Sequence, residues 1–232
     1  MNILALDTAG KTAAVAVLRD DTLLYETVSN TGLTHSETLL PMADAALKAC
    51  GLTCADIGLY AVTAGPGSFT GLRIGLAAVK GMALPRQTPC AGVSTLAALA
   101  YGMAGAGTVV GALDARRGQV YWAAFDLKTH ARLTPDAAAP AAEAAAFAQS
   151  CKKPVFYVGD GAALCYNRDE QALPCPPALR VCRAAGAGLA GRALHLAGQS
   201  VPPAALTPNY LRLSQAERER AEREAAAQTG EK

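Results

Sequence analysis

Histidine is scarce in this 232-residue chain, with three copies at His35, His130 and His195. No two of them stand at i,i+3 or i,i+4. Those spacings set a pair of ligands on one helical face, so the sequence offers no ready metal centre. Aromatic residues are also few, at 5%, which argues against a surface built for stacking on bases. A surplus of one charge is missing too. Lysine and arginine number 21 against 19 aspartate and glutamate, a net charge of +2, whereas a dedicated nucleic-acid binder carries a strong basic footprint. The seven cysteines, at 50, 54, 90, 151, 165, 175 and 182, are odd in number and include no CxxC pair. They fit buried thiols better than a disulfide framework. Met1-Asn2-Ile3 lacks the basic, apolar, small-residue order of a signal peptide, and the expectation is a cytoplasmic chain.

Residues 87–113 carry no charge, a stretch long enough to span a bilayer. It is built of alanine and glycine, however, and Gly102, Gly105 and Gly107 interrupt it. A helix over 94–103, a turn and a buried strand over 108–113 account for it without a membrane. What the chain has in plenty is apolar side chains, 51% of the total. That suffices for a sizeable core and excludes wholesale disorder.

Along the chain, Ile3-Leu4-Ala5-Leu6 and residues 12–18 and 22–28 read as three strands of an antiparallel meander. A helix is predicted over 36–50, with Pro41 delaying its start or kinking it. A strand over 57–64, a glycine-rich loop over 65–71 and a helix over 72–84 follow. Next come an extended segment over 89–93 and a helix capped by Ser94. The order then restarts: Leu6-Asp7 and Leu113-Asp114 each end an apolar strand, 107 residues apart, and each is followed by a polar turn and a second strand. The repeat points to two similar lobes, over 1–105 and 106–213. In the second, a helix is predicted after Pro140, a strand over 155–158, a loop over 167–177 and a small-residue helix over 184–198. Residues 214–232 form a charged tail expected to lack fixed structure.

The motifs offer little chemistry. Gly10-Lys11-Thr12 resembles the end of a P-loop, but Ala5 stands where the first glycine belongs and a strand follows where a helix should. Two-lobed kinases of the actin and Hsp70 type cradle phosphates with an Asp-x-Gly turn after the first strand of each lobe. Here those turns are Asp7-Thr8-Ala9 and Asp114-Ala115-Arg116, with a Cβ where bare backbone should meet phosphate. Only Gly159-Asp160-Gly161 keeps the look of an adenosine-holding strand end. Asp7, Gly159, Asp160 and Gly161 are thus weak nucleotide candidates on an eroded site, and no cofactor is expected. Ser68 in Gly67-Ser68-Phe69-Thr70-Gly71 is one place early for a GxSxG elbow. The loop is either a tight strand-to-helix connection or an anion site at a helix N-terminus.

The helices say more. Over 72–83 the only charges are Arg73 and Lys80, seven apart on one stripe, and a surface helix buries one face only. Gly75, Ala78 and Gly81 permit close helix approach. The preceding helix gathers Glu37, Asp44 and Lys48 on one side. The candidate partner-contact residues are therefore Leu39, Leu40, Ala43, Leu47, Leu72, Gly75, Leu76, Ala78, Val79 and Met82, as half of a four-helix interface. The alternative is an internal core covered by the second lobe.

Leu4-Ala5-Leu6-Asp7-Thr8-Ala9, His35-Ser36-Glu37-Thr38-Leu39-Leu40-Pro41, Gly65-Pro66-Gly67-Ser68-Phe69-Thr70-Gly71-Leu72-Arg73-Ile74-Gly75, Ala78-Val79-Lys80-Gly81, Leu113-Asp114-Ala115-Arg116 and Pro208-Asn209-Tyr210-Leu211-Arg212 together resemble the TsaB (YeaZ) family over nearly the whole chain. The resemblance implies an α/β fold of two actin-like (ASKHA, ribonuclease H-like) lobes, each a mixed sheet with flanking helices. It implies a non-catalytic part in making N6-threonylcarbamoyladenosine at position 37 of tRNAs that read ANN codons. The implied partners are the catalytic paralogue TsaD, bound through the N-lobe helices, and the ATPase TsaE, with a homodimer when alone and tRNA reached indirectly. TsaD-type proteins carry an HxxxH motif after the segment matching 89–93, and Val93-Ser94-Thr95-Leu96-Ala97-Ala98-Leu99 holds no histidine there. The rival readings are an actin-fold small-molecule kinase, which intact Asp-x-Gly turns would favour, and a metallopeptidase, which paired ligands would favour.

Overall fold

The structure is a computed structural model, and it describes residues 1–169, 172–173 and 175–212. Its strands are β1 (Asn2–Asp7), β2 (Ala13–Arg19), β3 (Thr22–Ser29), β4 (Leu59–Gly65), β5 (Cys90–Ser94), β6 (Thr108–Asp114), β7 (Gln119–Asp126), β8 (Ala137–Pro140) and β9 (Val155–Val158). Its helices are α1 (His35–Ala49), α2 (Phe69–Ala83), α3 (Thr95–Tyr101), α4 (Ala141–Gln149), α5 (Ala162–Tyr166) and α6 (Ala184–Leu196). No described helix is long and apolar enough to cross a membrane.

The strands form two mixed sheets, ordered β3-β2-β1-β4-β5 and β8-β7-β6-β9. In each, the opening strand pairs antiparallel with the next and parallel with a later one: β1 with β2 and β4, β6 with β7 and β9. The repeat read from Leu6-Asp7 and Leu113-Asp114 therefore recurs strand for strand, with β5 as the extra strand of the first sheet.

Helices and sheets alternate in five layers. Leu4, Leu6, Val15, Val17, Tyr60 and Val62 point from the first sheet toward α1 and α2. The alternate residues, among them Ile3, Ala5, Ala16, Leu18 and Ala61, meet α6 on the other face. Because both faces are covered, β1, β2 and β4 read as unbroken apolar runs rather than alternating ones. Their α6 side is mostly alanine because α6 lies close. A Cβ on Gly188 would come within 2.4 Å of Leu18 Cδ1, and one on Gly191 within 2.6 Å of Ala61 Cβ. α3 packs on α6 and on the second sheet, where Leu96 and Leu99 join Val109, Leu113 and Phe125. The far face of that sheet, with Val110, Val120 and Trp122, is covered by α4 and α5. So α3 and α6 fill the space between the sheets, and α1 and α2 form an outer layer.

Several expectations shift. The division at residues 105 and 106 separates the sheets, but residues 184–209, grouped with the second lobe on sequence grounds, return to the first. α6 lies on it, Cys90 and Val201 exchange two backbone hydrogen bonds of 2.8 Å, and the Asn209 N–H donates to the Ala64 carbonyl at 2.7 Å. The alanine run before Pro140 holds a strand, β8, because its backbone completes the ladder of β7. α1 runs unbroken through Pro41. That proline is on the exposed side of the helix, where the carbonyl left without a donor meets water. The predicted tail over 214–232 lies outside the described residues.

Candidate functional site: the cleft between the lobes and the outer helical face

The two repeat aspartates build the same local turn. Asp7 Oδ1 accepts the Ala9 N–H at 3.0 Å, and Asp114 Oδ1 accepts the Arg116 N–H at 2.7 Å. Each side chain thus bonds to the backbone two residues on, which is how a short acidic side chain starts a turn. Between them opens a cavity of about 550 Å³, lined by Lys11, Ser68, Thr70, Asp114, Arg116 and Asp160 among others. Asp160 joins through Oδ1, which accepts the Asp114 N–H at 2.9 Å.

The chain itself occupies much of the ground a phosphate would need. The Ser68 N–H donates to the Ala9 carbonyl at 2.7 Å, the Gly71 N–H to the Ser68 hydroxyl at 3.3 Å, and the Leu72 N–H to the Ser68 carbonyl at 2.9 Å. Three N–H groups at the start of α2 are therefore already satisfied. The glycines follow from the same packing. A Cβ on Gly71 would reach within 2.0 Å of the Thr8 carbonyl oxygen, one on Gly67 within 2.9 Å of Ala9 Cβ, and one on Gly75 within 2.4 Å of Thr8 Oγ1. Thr8 locks the contact by donating its hydroxyl to the Gly71 carbonyl at 2.7 Å. The packing is that of a tight strand-to-helix connection, while Phe69 and Thr70, whose N–H groups make no hydrogen bond among the described residues, line the cavity, so the loop keeps both readings. Gly159 and Gly161 have a similar cause, since Cβ atoms there would come within 2.2 Å of the Ala112 oxygen and 2.7 Å of the Leu113 carbonyl carbon.

Asp7 is fully buried and does not line the cavity. Burial pushes its carboxyl up to about 6, against the smaller opposing effects of the Ala9 N–H and the neighbouring Thr63 hydroxyl. Neither Asp7 Oδ2 nor Thr63 Oγ1 has a formed hydrogen bond. Cys182 is buried nearby, its thiol raised well above the usual range by burial first, then by Asp7 and Asp160. It is a poor thiolate and hence a poor nucleophile.

Each histidine is used locally. His35 Nε2 bonds the Gly10 carbonyl at 3.0 Å, His130 Nε2 the Met103 carbonyl at 3.0 Å while its ring stacks on Tyr101, and His195 Nδ1 the Ser200 hydroxyl at 2.9 Å. Among the described residues no three His, Cys, Asp or Glu side chains gather into a group able to hold a metal.

The ten candidate contact residues divide by face. Leu39, Ala43, Leu47, Leu72, Gly75, Leu76 and Val79 are buried and point inward to the sheet. They are core residues, and for them the partner-contact expectation is corrected. The sequence pattern could not separate an inner from an outer apolar face. Leu40 is 52% exposed, while Ala78 and Met82 are half-buried. On α2, Ala78 and Met82 with Ile74, Ala77 and Gly81 leave an uncharged stripe away from the sheet. Gly81 has nothing within 4 Å of its would-be Cβ.

Comparison with known proteins gives this geometry a lineage. Residues 29–143 match the family model described as TsaD: tRNA N6-adenosine threonylcarbamoyltransferase. The tRNA threonylcarbamoyladenosine biosynthesis protein TsaB of Bacillus subtilis is 31% identical over 223 residues, covering 94% of this chain and 96% of that protein. The chain belongs to the TsaB family. The Escherichia coli TsaB is 42% identical over a shorter match of 130 residues, so that alignment spans about half of each protein, 54% of this chain and 55% of the relative. The solved structure of YeaZ from Pseudomonas aeruginosa superposes with a TM-score of 0.72 at 29% identity, covering 90% of this chain and 99% of that one. The fold is the actin-like, ASKHA arrangement expected of TsaB proteins.

One TsaB-like segment does more than its sequence revealed. In Pro208-Asn209-Tyr210-Leu211-Arg212 the Tyr210 ring stacks on Phe69, with centroids 4.0 Å apart and planes 7° from parallel. Its hydroxyl accepts from Arg73 Nε at 2.9 Å. Two residues on, Arg212 Nη1 donates to the Ala115 carbonyl at 3.2 Å and its guanidinium lies over Tyr121. This strap ties the start of α2 to the turn after β6. Its aromatic and cationic residues were the available signal, but nothing in the sequence set them beside Phe69.

Proposed function

We propose that this chain is the non-catalytic subunit of the machinery that transfers a threonylcarbamoyl group to N6 of adenosine 37 in ANN-decoding tRNAs. In this reading it pairs with the catalytic paralogue TsaD through the outer face of α1 and α2, the ATPase TsaE joins that pair, and the work is done in the cytoplasm. Without TsaD the same face closes a two-fold homodimer. The observation that carries the reading is the uncharged stripe Ile74, Ala77, Ala78, Gly81 and Met82 in the outer layer of the fold. Ala77 and Gly81 are exposed while Ile74, Ala78 and Met82 are half-buried, so a partner helix would meet no charged side chain along the stripe, and glycine and alanine let a second helix come close. The non-catalytic part is supported by what fills the cleft: Ala9 packed on Gly67, and Arg116 where a phosphate-binding glycine would stand.

Reconstituted tRNA modification with purified TsaD and TsaE tests the proposal. Asp114→Asn and Asp160→Asn should leave the rate within about twofold of the parent chain. Gly81→Arg should abolish stimulation while remaining folded. A loss of about 10²-fold or more in either aspartate variant, of the size seen when a catalytic group is removed, would make the cleft catalytic and defeat the reading.

A further inference from the structure

Lys11, Arg116 and Arg212 of the strap line the cleft, Arg117 follows Arg116 in the turn after β6, and Arg73 of α2 bonds to Tyr210 on the Phe69 side of the cleft: five cations from four separate stretches. Among the described residues, none has a carboxylate within 4.0 Å. Lys11, Arg73, Arg116 and Arg117 are exposed. Arg116 and Arg117 stand at φ 65° and 55°, in the left-handed region that only a constrained turn imposes on side-chain-bearing residues. Asp114 and Asp160 line the same cavity, each with an oxygen turned to a backbone N–H.

Three rings alternate with these cations. The Phe69–Tyr210 stack is half-buried, with the Arg73 guanidinium 5.7 and 5.8 Å from the two centroids, and Arg212 lies 5.5 Å from that of Tyr121. Low aromatic content over the whole chain does not prevent a local cluster. Unpaired cations alone would suit any polyanion. Cations interleaved with aromatic faces suit a single-stranded nucleic acid, whose phosphates take the charges and whose bases take the rings.

We propose that the rim of the cleft docks single-stranded RNA, with phosphates along Lys11, Arg116, Arg117 and Arg212 and an unpaired base against the Phe69–Tyr210 stack. This rests on the reading of the chain as a subunit of a tRNA-modifying complex and deepens it: the chain touches the RNA itself.

The test is fluorescence anisotropy with a labelled anticodon stem-loop RNA from an ANN-decoding tRNA, titrated across a salt series. The full chain is compared with the double variant Arg116→Glu/Arg117→Glu and the charge-matched control Lys152→Glu/Lys153→Glu, which alters an exposed basic pair elsewhere. The double variant should bind at least about tenfold more weakly. Its slope of log affinity against log salt should be shallower by about 1.4, at about 0.7 per single-strand phosphate lost. The control should match the parent. No binding by the parent at low salt, unchanged affinity in the double variant, or an equal loss in the control would each overturn the proposal. TsaD pairing is measured on the same samples by size-exclusion chromatography. Pairing retained while RNA binding falls supports the proposal. Pairing lost while RNA binding persists assigns the rim to a protein partner and overturns it. A parent chain that does not pair with TsaD refutes the underlying reading instead, whatever the RNA does.

Discussion

Asp7→Asn should stabilise this protein at neutral and alkaline pH. The carboxyl is fully buried, its Oδ2 has no partner, and burial raises its pKa from 3.8 to about 6. Between those two values the folded chain holds a proton that the unfolded chain has released. Stability therefore falls as pH rises through that window, and above it the whole cost of the buried charge is present. At about 1.36 kcal/mol per pH unit, a gap of about two units is worth about 3 kcal/mol. Asparagine keeps the oxygen that accepts the Ala9 N–H, carries no charge, and sets an amide beside the Thr63 hydroxyl, which has no hydrogen bond of its own. Urea unfolding followed by circular dichroism at about pH 4, 6 and 8 checks this. The variant should match the parent near pH 4 and exceed it by up to about 3 kcal/mol near pH 8. A variant less stable than the parent near pH 8, with an unchanged denaturant slope, would refute the reasoning, because the charge would then be favourable where it sits.

Two glycines of α2 should respond in opposite senses. Gly75→Ala drives a methyl into Thr8 Oγ1 and should cost about 2 kcal/mol, overpacking outweighing the helix-propensity gain, whereas Gly81→Ala, with open space around it, should gain close to ~1 kcal/mol; thermal melts of the two variants decide. Arg183→Ala removes the guanidinium that pairs with the nearly buried Glu26 carboxylate, which also accepts the Ala185 N–H at 2.9 Å. The loss should be about 2 kcal/mol, read in the same melts.

The first sheet was largely legible in the sequence. Its strands are apolar throughout, its turns carry Asp20-Asp21 and glycine, and α2 follows a glycine loop. What stayed hidden is tertiary. Ala137–Pro140 is a strand because β7 offers it a ladder, although alanine favours a helix. The return of α6 to the first sheet depends on long-range packing of Gly188 and Gly191 that no local pattern encodes. The candidate site was half legible. Both turn aspartates were found from the repeat, but the purpose of Gly67, Gly71 and Gly75, to let α2 lie on Thr8 and Ala9, shows only once the strands are in place. On the outer helices the sequence pattern did not separate the two faces, since Leu39, Leu47, Leu76 and Val79 serve the core and Ala77 and Gly81 stand outside.

The central claim is that the outer face of α2 is where TsaD binds. Isothermal titration of TsaD into the parent chain and into Gly81→Arg tests it most directly, because arginine at this exposed site has room in the free chain and meets the partner only in the complex. An unpaired charge buried there should cost about 3 kcal/mol, so the variant should bind TsaD about a hundredfold more weakly while its melting temperature stays near that of the parent. Parent-like affinity in a folded Gly81→Arg would contradict the claim and move the interface elsewhere on the molecule.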